Sequence, residues 1–213
     1  MDVNVADQIR VIAWNIRAGG GRRIEEIARQ ISCWSPDIVV LSEFRGTPAS
    51  EWLKIDLASR GLGYQLSTVD KHQPAINSLL VASRWTIEPI YSRLAPKETG
   101  RWLLANVNAP LKFKIGAMHV PNHVTGRKYQ FHESVLSLAR RWLGGPAMLI
   151  GDTNTGRIGL DEETSVFSQR EENWMLGLEA AGWHDAFRQI YGELPAFTWY
   201  SPNGNNGFRL DEA

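Results

Sequence analysis

The spacing of apolar positions alternates between a period of two and a period of about 3.6, so strands and helices can be read off in turn. Ile9, Val11 and Ala13 share one face and Arg10, Ile12 and Trp14 the other, which predicts a strand over Ile9–Asn15 with at least one buried face. Ile24, Ile27, Ala28, Ile31 and Trp34 recur at helical spacing, and Pro36 stops the pattern. Asp37–Phe44 is an almost continuous apolar strand closing on Glu43. Pro48 opens a helix over Ala49–Arg60, expected to turn Trp52, Ile55 and Leu57 inward, with Gly61 as its stop. From there the period is two: short strands over Tyr64–Thr68, Asn77–Ser83, Thr86–Tyr91, Trp102–Ala109 and Lys112–Val120 suggest antiparallel sheets facing each other. A helix over Tyr129–Leu143, a buried strand from Ala147, a loop over Gly156–Ser168, helices over Glu171–Ala181 and Asp185–Ile190 and a strand over Ala196–Tyr200 follow. Phe208–Ala213 begins like one more strand.

Composition narrows the class. With 213 residues, 43% hydrophobic and 22% charged, the chain is long enough for one globular domain, expected over 1–213. No apolar run reaches the roughly 20 residues of a membrane span, and Met1–Asp7 lacks the profile of a secretory signal. Cys33 is the single cysteine, which excludes an internal disulfide and any multi-cysteine zinc site. A reducing, cytoplasmic setting is the expectation. Lys and Arg total 23 against 23 Asp and Glu, so any grip on nucleic acid must come from local patches.

Two familiar signatures fail. Ala18-Gly-Gly-Gly-Arg-Arg23 has neither the third glycine of a dinucleotide fingerprint nor the Gly-Lys-Ser/Thr of a P-loop. His132-Glu133 starts like a zinc-protease helix, but Leu136 stands where the second histidine is needed.

The chemistry centres on Ala147-Met-Leu-Ile-Gly-Asp-Thr-Asn154, an apolar run and a glycine turn presenting Asp152 and Asn154 to one side. The acid can orient or deprotonate water while the amide donates to a phosphoryl oxygen, although Asp and Asn after a strand also serve simply as turn formers. Asn15, Glu43, His119 and Asp211 likewise sit at strand ends. Singly each has a structural explanation; together they outline one site.

With those residues in view, the chain resembles the endonuclease/exonuclease/phosphatase superfamily of divalent-metal phosphodiesterases. The stretches that carry the resemblance are Ala13-Trp-Asn-Ile16, Leu41-Ser-Glu43, His119-Val-Pro-Asn122, Ile150-Gly-Asp-Thr-Asn154, Phe197-Thr-Trp199 and Gly207-Phe-Arg-Leu-Asp211. The fold this implies is α/β, a four-layer α-β-β-α sandwich of two mostly antiparallel sheets flanked by helices. Gly182-Trp-His-Asp-Ala-Phe-Arg188 is most similar to the exonuclease III and apurinic/apyrimidinic endonuclease branch. The resemblance implies that Glu43 binds Mg²⁺, with Mn²⁺ as an alternative, and that Asn15 stands beside the metal. Asp152 would act on the attacking water, Asn154 would hold that water and a phosphoryl oxygen, His119 would donate to the scissile phosphate, and Asn122 would touch a neighbouring one. Asp211 matches the acid that pairs with a catalytic histidine. Trp199 and Phe208, with Leu210, match an apolar pocket for a base-less sugar, or are two core aromatics. Arg17, Arg22, Arg23, Arg45, Arg127 and Lys128 flank the site and would grip a DNA backbone, or are solvated surface.

The chain departs from the family at three places. Arg17 stands where the repair branch often carries an acid, and Ser42 replaces a glutamine before Glu43. A Ser-Asp-His motif is expected some 30 residues or more beyond Asp211, whereas the sequence stops at Ala213. The domain is thus expected to lack its last strand, leaving an edge open to self-association. Truncation, a segment supplied by a partner, and a degenerate member that binds without cutting are the alternatives. The function expected is Mg²⁺-dependent hydrolysis of DNA phosphodiester bonds; a lipid, inositol-phosphate or RNA phosphoesterase and an impaired binding module are the other readings.

Overall fold

The computed structural model describes residues 8–213, so the reading of Met1–Asp7 as lacking a secretory-signal profile lies outside the described residues. Among the described residues, eleven strands and five α-helices follow one another in the predicted order. One sheet joins β1 (Val11–Asn15), β2 (Ile38–Phe44), β4 (Ser78–Ser83) and β3 (Tyr64–Ser67), in the order β1-β2-β4-β3. A second joins β5 (Ile87–Pro89), β6 (Trp102–Val107), β7 (Phe113–His119), β8 (Ala147–Asp152) and β11 (Asp211–Glu212), in the order β11-β8-β7-β6-β5. Each sheet holds one parallel pair, β1 with β2 and β7 with β8, and all other neighbours are antiparallel. Helices α1 (Ile24–Trp34) and α3 (Lys128–Arg140) make those two parallel crossovers.

Three separate apolar clusters define four layers. Ile38 and Val40 of β2, Leu79 and Val81 of β4, Ala105 and Val107 of β6 and Ile115 and Ala117 of β7 fill the space between the sheets. The alternate residues Val39, Leu41, Leu80 and Ala82 pack outward against Ile27 and Ile31 of α1 and Leu53 and Leu57 of α2 (Pro48–Ser59). Across the second sheet, Trp102, Leu104 and Leu149 pack on Phe131 and Val135 of α3 and Trp174 of α4 (Gln169–Ala180). Central strands covered on both faces need apolar residues at successive positions, which is why β2 and β4 read as continuous runs rather than alternating ones. The α-β-β-α sandwich expected from the sequence is the observed fold.

Two local expectations are corrected. Trp52 and Ile55 of α2 are 43% and 70% exposed, because the inward stripe is Leu53 and Leu57 at i, i+4. The terminal segment is also not one strand. Gly207–Phe208 is β10, paired with β9 (Trp199–Tyr200), and after two residues the chain changes partner so that Asp211 and Glu212 pair with Asp152 and Gly151 of β8. The strands β1 and β11 are the corresponding edges of the two sheets. Among the described residues no helix is long and apolar enough to cross a membrane.

Candidate active site

The strand ends deliver their polar side chains to one cleft of about 610 Å³, lined by Asn15, Glu43, His119, Asp152, Asn154 and Asp211, with Trp14, Asn77, Thr198, Trp199 and Leu210 around them. Three backbone irregularities aim those groups. The register of β2 on β4 slips between Ser42 and Phe44, and Glu43, the extra residue, takes a left-handed φ of 55°. Asn154 is left-handed as well, with φ of 46°. Non-glycine residues hold such a conformation when surrounding contacts enforce it, and strain of this kind gathers at functional positions. Between the strands, Gly151 has φ of 139° and its absent Cβ would lie 2.0 Å from the carbonyl oxygen of Met118, so only glycine lets β8 lie this close to β7 ahead of Asp152.

Asn15 ties the two sheets together at this end. Its Nδ2 donates to Glu43 Oε1 at 3.1 Å and to Asp152 Oδ2 at 2.8 Å, while its Oδ1 accepts the backbone N–H of Arg17 at 2.9 Å. Glu43 Oε2 accepts the N–H of Ala18 at 2.8 Å. Burial pushes the Glu43 carboxyl up, but the hydrogen bonds from Ala18 and Asn15 outweigh it, and Glu43 stays ionised with a lowered pKa. Asp152 goes the other way. Burial first, and the charge of Asp211 second, raise its pKa to about 7 against the pull of Asn15 and the Asn154 N–H. The two carboxylates face each other across the β8–β11 pairing, and burial raises the pKa of Asp211 too. His119, at the end of β7, has Nε2 3.6 Å from Asp152 Oδ2; burial, reinforced by Arg101, lowers its pKa to about 4, so it is neutral at pH 7. Asn154 donates its N–H to Asp152 Oδ1 at 3.0 Å and its Nδ2 to the Val120 carbonyl at 2.8 Å.

The donor set suits a hard divalent cation. Three carboxylates converge, and Asp211 Oδ1 is buried with no hydrogen-bond partner among the described residues. No group of three or more Asp, Glu, His or Cys side chains is drawn together among them into a cage that could hold a metal ion. Mg²⁺ asks for no such cage, since it is commonly held by one or two carboxylates and water.

The substrate-contacting residues fare less evenly. Asn122 and Trp199 line the cleft, as expected. Phe208 is 7% exposed and packs on Phe167 and Trp199 with ring centroids 5.9 and 5.7 Å away, so it belongs to the core, and Leu210 reaches the cleft in its place. Arg45 stands behind the wall, donating to Asn77 Oδ1 at 2.6 Å. Arg127 is exposed at the start of α3, outside the cleft lining. Lys128 is only 3% exposed and turns away from solvent to Glu171 and the Asn154 carbonyl, because the first turn of α3 points it under the loop after β8. Sequence reasoning missed Arg101, Asn77 and Thr198. Each stands just before or just outside a strand, and Asn77 directly precedes β4, as other site residues directly end theirs. Arg101, with Arg17 and Arg23, supplies the positive side of the cleft.

The family follows from a match that spans nearly the whole chain: residues 12–211 fit the Endonuclease/Exonuclease/phosphatase family. The chain belongs to that family. Among solved structures it is similar to the 3′ phosphatase NExo from Neisseria bound to product DNA hairpin, with TM-score 0.74, 19% identity, and coverage of 96% of this chain and 85% of that one. It is similar to an AP endonuclease from Archaeoglobus fulgidus at TM-score 0.73 and 17% identity, and to the 3′-5′ exonuclease NExo from Neisseria meningitidis at 0.73 and 20%, each with the same coverage. At these identities the likeness is one of fold. No curated protein sequence matches the chain.

Proposed function

We propose that this family member is a divalent-metal phosphodiesterase that hydrolyses DNA phosphodiester bonds, of the abasic-endonuclease or exonuclease kind. The observation that supports it most is the Asn15 bridge, which holds one ionised carboxylate, Glu43, and one carboxylate poised near neutrality, Asp152, on either side of a single amide. A proton acceptor with a pKa near the working pH is what activation of water requires. Asp152 receives the proton of the attacking water; Asn154 and Asn15 hold it in orientation. His119, neutral and buried, donates to a phosphoryl oxygen, while Arg101, Arg17 and Arg23 face the substrate charge. Glu43 would hold Mg²⁺ or Mn²⁺ with Asn15 beside it, and that ion when bound supplies charge against the phosphoryl and leaving oxygens. Trp199 and Leu210 offer an apolar wall to a sugar that has lost its base. The neighbours named for DNA processing favour DNA as the partner.

The test is cleavage of a labelled duplex with one abasic site beside an intact duplex, with Mg²⁺ or with EDTA. Cutting at the abasic site that needs Mg²⁺ and is lost with Asp152→Ala supports the proposal; no cutting of either duplex overturns it for this chain. A second reading, release of a terminal phosphate, is favoured by the likeness to a 3′ phosphatase, and a nicked duplex ending in 3′-phosphate separates the two. Self-association through an unpaired sheet edge is part of the same proposal, and sedimentation at two concentrations tests it.

A further inference from the structure

Lys128 is the least expected buried charge in the molecule. It begins α3, next to the exposed Arg127, yet only 3% of it is exposed. Its Nζ donates to Glu171 Oε1 and to the backbone carbonyl of Asn154. Glu171 is itself buried, and its other oxygen accepts the N–H and the hydroxyl of Ser168 at 2.7 and 2.8 Å in the capping box of α4. The ammonium is therefore anchored by a carboxylate that cannot move without uncapping a helix. A buried lysine so paired adds little net charge to the cleft, and its remaining effect is geometric.

What it holds is one of the left-handed residues of the site. Asn154, with φ of 46°, makes three backbone and side-chain bonds at once: its N–H to Asp152, its Nδ2 to Val120 and its carbonyl to Lys128. Relaxing Asn154 to a negative φ would swing the N–H and the carbonyl away from both partners. The neighbouring residues are gripped from below in the same manner. Thr153 Oγ1 lies 2.8 Å from the Thr155 carbonyl and 2.9 Å from that of Leu210, and Thr155 Oγ1 is 3.0 Å from Nε2 of His132, whose ring stacks on Trp174 at 4.2 Å.

We propose that Lys128, backed by Glu171, is a positioning residue that locks Asn154 in its left-handed conformation through the Asn154 carbonyl and makes no contact with substrate. The part of this that concerns turnover rests on the phosphodiesterase reading above; the conformational part does not. Lys128→Met combined with Glu171→Gln leaves no buried charge and keeps a residue able to complete the capping box. In that variant the backbone and side-chain amide signals of Asn154, assigned with Asn154→Asp, are expected to shift or broaden in a ¹H–¹⁵N spectrum while the rest of the sheet signals stay. In cleavage assays kcat is expected to fall roughly ten- to a hundred-fold with KM and its salt dependence unchanged. A raised KM with a shallower salt slope and unchanged kcat would mean that Lys128 grips phosphate, and would overturn the proposal. So would unmoved Asn154 signals. Should that variant fail to fold, the wild-type protein decides: a slowly exchanging Lys128 ammonium with nuclear Overhauser contacts to Asn154 and Thr155 supports the lock, and a freely exchanging one sinks it. Because the spectra need no turnover, a failure of the nuclease reading is told apart from a failure of this one.

Discussion

Two polar clusters meet at β11, where Asp211 belongs to one and Glu212 to the other, and they are built on opposite rules. In the first, Arg209, 2% exposed, donates Nε to Asp161 at 2.7 Å and Nη2 to Asp185, and lies 3.2 Å from Glu212, while Arg188 also pairs with Asp161. Asp161 takes a further N–H from Arg157 at 2.8 Å, and although burial alone would raise its pKa, these partners lower it. In the second, none of Glu43, Asp152 and Asp211 has a Lys or Arg partner among the ion pairs of the described residues; the nearest charged-type group is His119, neutral at pH 7. One cluster matches Asp161 and Asp185 with arginines and serves as structure, while burial holds the adjoining Glu212 well above the usual carboxylate range. The other leaves its acids unmatched, as a site that must receive a cation and a phosphate would.

The comparison breaks most directly at Arg209. Arg209→Met leaves Asp161 and Asp185 buried without their main cation, and breaking a buried pair from one side costs about 3–5 kcal/mol. Urea or thermal unfolding should show a loss of that size, a Tm lower by roughly 10 °C for a chain of this length. A loss below about 1 kcal/mol would mean that the arginine cluster is not what holds the β9–β11 region.

At Asp152 the expectation reverses. Its folded pKa of about 7 lies above the ordinary 3.8, so the folded state binds the proton more tightly, and stability is lost as the pH rises from the ordinary value through about 7, with the full cost standing above that. In EDTA, Asp152→Asn should therefore be more stable than wild type at pH 8, by about 1–2 kcal/mol after allowing for its coupling to Asp211. That advantage should shrink as the pH falls through 7 towards 4, where wild-type Asp152 is protonated. The same substitution should lower cleavage about 10²–10⁴-fold. Loss of stability at every pH would put Asp152 in the structural class with Asp161.

The first cluster was the harder one to see in the sequence. Residues such as Glu43 and Asp152 announce themselves because they end buried apolar runs, where a core has no use for a carboxylate. The layers were legible for a related reason: Ile38 to Leu41 must be apolar on both sides to lie between the helices and the facing sheet. Asp161 lies instead in a stretch that reads as loop, and nothing local shows that Arg209 will reach it across 48 residues. Lys128 reads in the sequence as a residue gripping a DNA backbone because only the rotation of α3 separates it from Arg127. Phe208 and Leu210 share a face by strand alternation, yet only Leu210 reaches the cleft, since the chain leaves the β9–β10 pair after Phe208. Trp52 and Ile55 misled because their size outweighed the i, i+4 stripe of Leu53 and Leu57. For Asp161 and Lys128 the missing information was a long-range partner, not a local propensity.

The smallest expected effect sharpens the contrast from within the arginine cluster. Asp185 does two things: Oδ1 accepts the Arg188 N–H at 3.1 Å and so caps α5 (Ala186–Tyr191), and Oδ2 accepts from Arg209. Asp185→Asn retains an oxygen for the cap, and asparagine is as good a capping residue as aspartate. Only the charge facing Arg209 is lost, and Asp161 remains to face that guanidinium, with Glu212, pushed well up by burial, beside it. A cluster that shares its charges should therefore lose about 1 kcal/mol, well short of the Arg209→Met loss, with cleavage unchanged. If Asp185→Asn instead cost as much as Arg209→Met, the pairs would be independent rather than pooled. If it cost activity, the two clusters would be coupled through β11, which carries Glu212 beside Arg209 and Asp211 beside Asp152.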